Sequence, residues 1–132
     1  MGKESADIDI ALDDMYGSEF AQMIQDKLYS DADKKKFGVI KSNSDKSKHL
    51  ETAVIRVHGM FIDLVNLRAE EYAEDSRVPT TVFGTPEQDA YRRDLTINAM
   101  FYNINERKVE DYTRLGVKDL EAGIVRTPME PL

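Results

Sequence analysis

The segment 7–12 alternates strictly between apolar and polar residues, and this pattern constrains the fold more than any other feature of the sequence. Ile8, Ile10 and Leu12 point to one side, whereas two aspartates and an alanine point to the other. A period of two with β-branched residues predicts a strand rather than a helix. The strand is expected to bury its apolar side and to display its carboxylates on the opposite face.

Two more strands and an amphipathic helix are predicted in the first half of the chain. The segment 52–58 alternates again, 61–67 is a third strand, and Gly59-Met60 between them predicts the tight turn of a hairpin. Apolar residues at helical spacing between Ser18 and Tyr29 predict a helix, for which Ser18 is the expected N-cap.

The second half of the chain mixes the same elements. Thr85, Pro86 and Gln88 form a helix start, with an N-cap, a proline in the first turn and a capping box. The predicted elements are a loop at 72–84, a helix at 86–99, strands at 101–104 and 108–112, and a short helix at 117–122. Strands and helices mixed with hairpins indicate an α+β fold.

Length and composition restrict the function. The 132 residues suffice for one domain, expected to span 1–132. The chain has no cysteine, which excludes disulfides and thiolate metal sites, and two widely spaced histidines do not suit a zinc site. A net charge of −7 argues against broad binding of nucleic acid through its phosphates. No apolar run is long enough for a membrane span, so a soluble intracellular domain without membrane contact is expected.

Three aspartates are candidates for a metal site. Asp7 and Asp9 are two residues apart on a strand, so their side chains leave the same face about 6–7 Å apart. Asp63 lies within the apolar run of another predicted strand, where an unpaired acid is costly to bury. If these strands are neighbours, the carboxylates converge, and Mg²⁺ prefers such oxygen ligands. The alternative is an ordinary solvated face of a sheet.

A second candidate site is the run that begins Arg92-Arg93-Asp94 and includes Asn98. On the predicted helix, Asp94 and Asn98 are four residues apart and share a face. A guanidinium group offers a planar set of donors that fits phosphate oxygens. Asn98 stands among apolar neighbours and is expected to have a buried partner. The alternative is a surface helix in which Glu87 or Asp89 forms salt bridges with the arginines.

These motifs resemble the head domain of class II tRNA nucleotidyltransferases, the CCA-adding enzymes, and of their relatives the bacterial-type poly(A) polymerases. The resemblance extends over nearly the whole chain in the right order, and the run 89–99 is its most specific part. The other matching stretches are 2–12, 40–43, 46–53, 62–68, 83–87, 110–112, Gly116, 119–120 and 123–128.

The resemblance implies a polymerase-β-like nucleotidyltransferase fold with a mixed, mostly antiparallel sheet flanked by helices. The head domains of this family begin with a strand and a Gly-Gly-x-Val-Arg-Asp helix, which this chain is expected to lack. By resemblance, Asp7 and Asp9 would hold two magnesium ions, and Asp63 matches the third catalytic carboxylate of the superfamily. The displacement would release pyrophosphate from CTP or ATP.

The resemblance also implies roles for the second motif. Arg93 matches an arginine that contacts the nucleotide, and Arg92 is its neighbour in the same motif. Asp94 would reach the ribose, and Asn98 would brace the site. All four residues are therefore expected to belong to a nucleotide-binding site.

The expected function is template-independent addition of CCA to tRNA 3′ ends by two-metal-ion catalysis. The alternatives are a poly(A) polymerase on the same scaffold and a non-catalytic nucleotide-binding remnant. The family grips tRNA mainly through neck, body and tail domains, so residues 1–132 alone are expected to be inactive or nearly so. An exposed sheet edge favours dimerisation, and the expected location is cytoplasmic, with mitochondrial or nuclear pools.

Overall fold

A computed structural model describes most of the chain, which forms two compact units, Met1–Leu67 and Arg68–Leu132. The described residues are 7–31, 40–42, 52–72, 74–75, 77 and 80–129. The elements of the first unit are β1 (Asp7–Leu12), α1 (Gly17–Leu28), β2 (Ile40–Ser42), β3 (Thr52–Val57) and β4 (Met60–Asn66). No helix within the described ranges is long and apolar enough to cross a membrane.

The first unit is built on a sheet with the strand order β1-β4-β3-β2. β1 runs parallel to β4, and the other two pairings are antiparallel. Leu12, Ile55 and Leu64 are buried on one face, where α1 packs against β3 and β4. The strands predicted from alternation are confirmed, and their apolar side is the core side.

The β3–β4 hairpin is confirmed, but its turn lies one residue earlier than predicted. Val57 and Met60 are paired, so the two connecting residues are His58 and Gly59. Both have positive φ angles, 50° and 82°. Two successive positive φ values characterise the two-residue turns whose twist matches that of a hairpin. Met60 belongs to β4 because the turn is completed before it.

Helix α1 begins at Gly17, so Ser18 is not its N-cap. The N-cap is Tyr16, whose backbone N–H donates to Glu19 Oε2 at 3.1 Å. A Cβ atom on Gly17 would lie 2.8 Å from the backbone oxygen of Leu64. The helix therefore starts where the absence of a side chain lets its first turn approach β4.

The second unit contains two small antiparallel sheets and short helices. Its elements are β5 (Arg68–Glu71), β6 (Thr80–Phe83), α2 (Pro86–Tyr91), a 3₁₀ turn (Thr96–Asn98), β7 (Phe101–Asn103), β8 (Lys108–Glu110) and α3 (Gly116–Ala122). β5 pairs with β6, and β7 pairs with β8. The predicted strands near 101–104 and 108–112 and the short helix near 117–122 are confirmed, as is the α+β class.

Two predictions for the second unit are wrong. The loop expected at 72–84 includes strand β6, which pairs with β5 along its whole length. The helix expected at 86–99 ends at Tyr91, and Leu95 is extended, with φ −130° and ψ 143°. The predicted start of α2 is confirmed, since Thr85 N–H donates to Gln88 Oε1 at 2.9 Å and Gln88 N–H to Thr85 Oγ1 at 3.2 Å.

Tertiary hydrogen bonds explain why the chain leaves the helical path before the 3₁₀ turn. The Thr96 hydroxyl donates to Asp119 Oδ2 at 2.6 Å, and the Thr96 N–H donates to the Arg126 carbonyl at 3.0 Å. Thr96 and Asp119 are both buried. A continued helix would use the Thr96 N–H internally and leave these buried polar groups unpaired, which costs more than ending the helix.

We predict that Gly17→Ala destabilises the first unit by about 1–3 kcal/mol, because the added methyl group overlaps backbone at the α1–β4 contact. The free energy of urea unfolding, followed by circular dichroism, measures the effect. Lys27→Ala, at an exposed position of the same helix, is the matched control and should change stability by less than about 0.5 kcal/mol. Equal stability of Gly17→Ala and the unaltered chain would show that the helix can move away from β4.

Candidate functional site

The parallel register of β1 and β4 brings the three predicted carboxylates onto one face of the sheet. Asp9 is the direct partner of Asp63, and Asp7 is the partner of Phe61, two residues earlier on β4. Partners in a pleated sheet project to the same side, as do residues two apart on one strand. Asp7 and Asp9 are exposed, whereas Asp63 is half-buried. This face is opposite to the core face that α1 covers.

The proximity of these carboxylates is visible in their electrostatics. Partial burial raises the pKa of Asp63, and the negative charges of Asp9 and Asp7 raise that pKa further. A hydrogen bond between the Asp63 and Asp9 carboxyl groups acts in the same direction. Like charges held together disfavour the ionised form unless a cation lies beside them. An ordinary solvated sheet face does not explain a half-buried acid hydrogen-bonded to a second acid.

The chemistry of this donor set suits a hard divalent cation, because all of its ligand atoms are carboxylate oxygens. Within the described ranges, however, no group of three or more acidic, histidine or cysteine side chains is arranged so that it could hold a metal ion. The arrangement consists of the Asp9–Asp63 pair and, one pleat along the same face, Asp7. The assignment of Asp7 and Asp9 as metal ligands stays a prediction.

In the second unit, the first two residues of the arginine motif surround an acid that the sequence offered only as a surface salt-bridge partner. Asp89 is completely buried. Its Oδ1 accepts a hydrogen bond from Arg93 Nε at 2.7 Å, and its Oδ2 accepts one from the backbone N–H of Arg68 at 2.7 Å. Arg92 Nε lies 3.6 Å from Oδ2 and is buried without a hydrogen-bond partner.

Asp89 therefore links α2 to the start of β5 and fixes the orientation of Arg93. Since 36% of the Arg93 side chain stays exposed, its guanidinium group is anchored through Nε and still reaches solvent. Crowding of positive groups is evident at Arg68, where burial and then the charge of Arg92 lower the pKa. The cluster is rich in cations and suited to an anionic ligand.

Asp94 and Asn98 do not share a helix face, because α2 ends before either residue. Both are exposed, so the expectation of a buried partner for the Asn98 amide is wrong. Asn98 instead belongs to the 3₁₀ turn, where its N–H donates to the Leu95 carbonyl at 3.1 Å. Its apolar neighbours in sequence misled the prediction, since a 3₁₀ turn distributes side chains differently from an α-helix.

The sequence did not predict the anchoring roles of two buried acids, Asp89 and Asp119. Asp119 Oδ1 accepts a hydrogen bond from Arg126 Nη2 at 2.6 Å, and Arg126 and Thr96 together lower the pKa of Asp119. These contacts fix the turn that carries Asn98. Neither buried acid is distinguishable from a surface acid in a single sequence, because Arg68 lies 21 positions from Asp89 and Thr96 lies 23 positions from Asp119.

Comparison with known proteins gives concordant matches. A profile of the family described as "Poly A polymerase head domain" matches residues 1–126. The mitochondrial CCA tRNA nucleotidyltransferase of Candida glabrata is 51% identical over 136 residues, which is 98% of this chain and 25% of that protein. That of Saccharomyces cerevisiae is 47% identical over 134 residues, covering 98% of this chain and 24% of that protein.

A solved structure, described as that of a CCA-adding enzyme in apo form II, has a similar fold. The TM-score is 0.73 at 28% identity, and the match covers 96% of this chain and 27% of that chain. The chain therefore spans about a quarter of the length of the relatives that it matches.

We predict that Asp63→Asn stabilises the protein at pH 7. The folded pKa of Asp63 is raised above its ordinary value of 3.8, so the folded state binds the proton more tightly than the unfolded state does. Ionisation then disfavours folding, and the cost grows as pH rises through the folded pKa. The amide removes that cost.

The measurement is urea unfolding between pH 4.5 and pH 8, where the advantage of Asp63→Asn should narrow as the pH falls. Asp13→Asn is the matched control, since it removes the same charge at an exposed position just after β1. A variant less stable than the unaltered protein at pH 7 would contradict the repulsion inferred between Asp63 and Asp9.

We predict that Asp89→Asn destabilises the second unit by about 2–4 kcal/mol, because an amide cannot accept both hydrogen bonds as an anion does and leaves the arginines without their buried counter-charge. Thermal unfolding measures the loss. Asp94→Asn makes the same change at an exposed position five residues later and is expected to change stability by less than about 0.5 kcal/mol. Equal effects of the two substitutions would refute the anchoring role of Asp89.

Proposed function

The chain belongs to the poly(A) polymerase head-domain family, and from this premise we propose that it is the catalytic head of a tRNA nucleotidyltransferase. The proposed reaction is template-independent addition of CCA to the 3′ end of tRNA from CTP and ATP. The relatives that match 98% of the chain are named CCA tRNA nucleotidyltransferases. The single structural observation that carries the proposal is the pairing of Asp9 with Asp63 across β1 and β4, beside Asp7.

Nucleotidyltransferases of this kind require a divalent metal ion in general, and we propose Mg²⁺ here, held by Asp7 and Asp9 with Asp63 as the third catalytic carboxylate. Bound metal would supply charge stabilisation for the attacking and leaving oxygens of the displacement. The carboxylates on this face supply oxygen ligands of the kind that Mg²⁺ prefers. The raised pKa of Asp63 supports the proposal, since partial burial and then the charges of Asp9 and Asp7 raise it, and a cation beside the pair would offset both effects.

The proposed nucleotide site uses the motif in the second unit. The Arg93 guanidinium group, oriented by Asp89, would bind an anionic part of the nucleotide, with Arg92 beside it. Asp94 would accept a hydrogen bond from a ribose hydroxyl, and Asn98 would brace the site. The exposure of Arg93 and Asp94 supports these roles, because a ligand must reach the side chains.

Poly(A) polymerase activity is the second candidate, favoured by the description of the family itself. The two activities share the carboxylates and differ in which nucleotides are added and how many.

We propose further that tRNA binds mainly through regions that the relatives have beyond the quarter they share with this chain. The names of two relatives support a mitochondrial pool. We propose cytoplasmic and nuclear pools in addition. An exposed edge of β1, one of the two outer strands of the described sheet, would favour dimerisation.

The test is a product-length assay with the full-length gene product, Mg²⁺ and a tRNA that lacks its CCA end. Labelled CTP and ATP are supplied singly and together, and products are separated on a sequencing gel. We expect three added nucleotides, ending in A, only when both nucleotides are present. Asp9→Ala is expected to lower the rate by 10³-fold or more, on the order of the transition-state stabilisation that a catalytic metal supplies.

Asp13→Ala is the matched control, because it removes an exposed carboxylate four residues along the same segment. It should retain nearly full activity. A long ladder made from ATP alone would assign the protein to the poly(A) polymerase branch. Absence of any product from the unaltered protein would favour a non-catalytic nucleotide-binding role.

A further inference from the structure

An arginine–aromatic pair lies on the open face of the sheet in the first unit. Phe61 is 54% exposed, an unusual state for a phenylalanine on a central strand. The guanidinium carbon of Arg56 lies 5.6 Å from the centroid of the Phe61 ring, within the range of a cation–π interaction. We call Arg56 and Phe61 the stacking pair.

The register of the sheet places the stacking pair beside the carboxylates. Phe61 is the direct partner of Asp7 on β1 and of Arg56 on β3, so these three residues form one row across the face. Asp9 and Asp63 form the next row, two residues along the strands and about 6–7 Å away. Among the side chains that β1, β3 and β4 present on this face, Arg56 is the sole cation.

A stabilising surface contact is the simplest explanation of the stacking pair, but it does not account for the position of Phe61 beside the carboxylates. An exposed cation–π pair contributes only about 0.5–1 kcal/mol. An apolar ring at this point leaves more than half of its surface in water, next to three carboxylates. Such a ring has one face available for stacking, and Arg56 brings a positive charge to an acidic surface. Aromatic rings interleaved with cations are the usual means of binding single-stranded nucleic acid.

We propose that the stacking pair binds the 3′-terminal nucleotide of the RNA acceptor, with the terminal base on Phe61 and a phosphate near Arg56. This inference rests on the proposed function and names the residues that position the acceptor for it. A terminal base on Phe61 would hold the ribose hydroxyl one row from Asp9 and Asp63, where the displacement is proposed to occur.

The chemistry of the stacking pair favours the acceptor over the incoming nucleotide. A triphosphate needs several cations, and apart from any bound metal ion the strands β1, β3 and β4 present one on this face, Arg56. An acceptor that grows by CCA ends first in its own last base and then in C, so its terminal site must tolerate more than one base. Stacking provides this tolerance because every base has a π-face, whereas hydrogen bonds to base edges would discriminate.

The experiment compares two acceptors that differ only in the terminal base. One is a tRNA without its CCA end, and the other carries an abasic ribose at its 3′ terminus. Both are tested with the full-length gene product, Mg²⁺ and labelled CTP, and KM is measured separately for RNA and for CTP. For the unaltered protein, we expect the abasic acceptor to have a KM about tenfold higher, from the lost stacking.

Substitutions at Phe61 should remove or preserve this preference. Phe61→Leu keeps an apolar residue on the strand but has no π-face, so it should use both acceptors with the same raised KM. Phe61→Tyr should keep the preference. KM for CTP should be unchanged in both variants. Tyr102→Leu is the control, since Tyr102 is an exposed aromatic residue on β7 in the second unit.

Arg56 has a separate readout. The binding of labelled RNA without CTP is measured by fluorescence anisotropy at several salt concentrations. The slope of the logarithm of the binding constant against the logarithm of the salt concentration should fall in magnitude by about one in Arg56→Gln and stay unchanged in Arg56→Lys. This measurement does not depend on catalysis.

The outcomes distinguish this inference from the function on which it rests. If the unaltered protein extends neither acceptor, both the proposed function and this inference are overturned. Normal CCA addition with an undiminished base preference in Phe61→Leu would overturn the inference alone. A rise in KM for CTP with an unchanged KM for RNA would also overturn it, because the stacking pair would then contact the nucleotide.

Discussion

The parallel pairing of β1 with β4 is the constraint on which the rest of the first unit depends. It holds Asp9 opposite Asp63 although the two carboxylates repel each other. The opposite faces of the same strands supply the compensating energy, since Leu12 and Leu64 are buried there under α1. A slip of one residue would send the leucines to water and the aspartates into the core. The core therefore fixes the register, and the register fixes the acidic face.

The second unit uses buried anions where the first uses buried leucines. Asp89 joins α2 to the start of β5, and Asp119 joins α3 to the 3₁₀ turn and to Arg126. Each buried carboxylate has both oxygens occupied, which a buried charge requires. The apolar core of this unit is limited largely to small residues such as Ala69, Ala90 and Ala99. Directional hydrogen bonds thus determine the position of short elements that little apolar burial could hold in place.

The sequence predicted the features that neighbouring residues determine, but not those that depend on contacts between residues far apart in the chain. The period of two in 7–12 gave both the strand and the face of its aspartates, and the Thr85 capping box gave the start of α2, because neighbouring residues determine each. The end of α2 was not predictable, since it depends on Thr96 meeting Asp119. The same limit applies to Asp89 in α2, which is buried and accepts a hydrogen bond from Arg68 of β5, 21 positions earlier in the chain. The convergence of Asp63 with Asp9 depends on β1 and β4 being neighbours, and the pairing of distant strands cannot be read from the local pattern.

The charge of the chain constrains how a polyanion can approach it. The whole sequence carries −7, and the open face of the sheet presents three carboxylates and one arginine. Without a cation, this face would repel both an RNA end and a triphosphate. A bound divalent ion is a large local charge and reverses the sign at Asp9 and Asp63. The raised pKa of Asp63, caused by partial burial and then by the charges of Asp9 and Asp7, reflects the same crowding of negative charge. Under the proposed function, a bound divalent ion would therefore be what allows an RNA end and a triphosphate to approach this face.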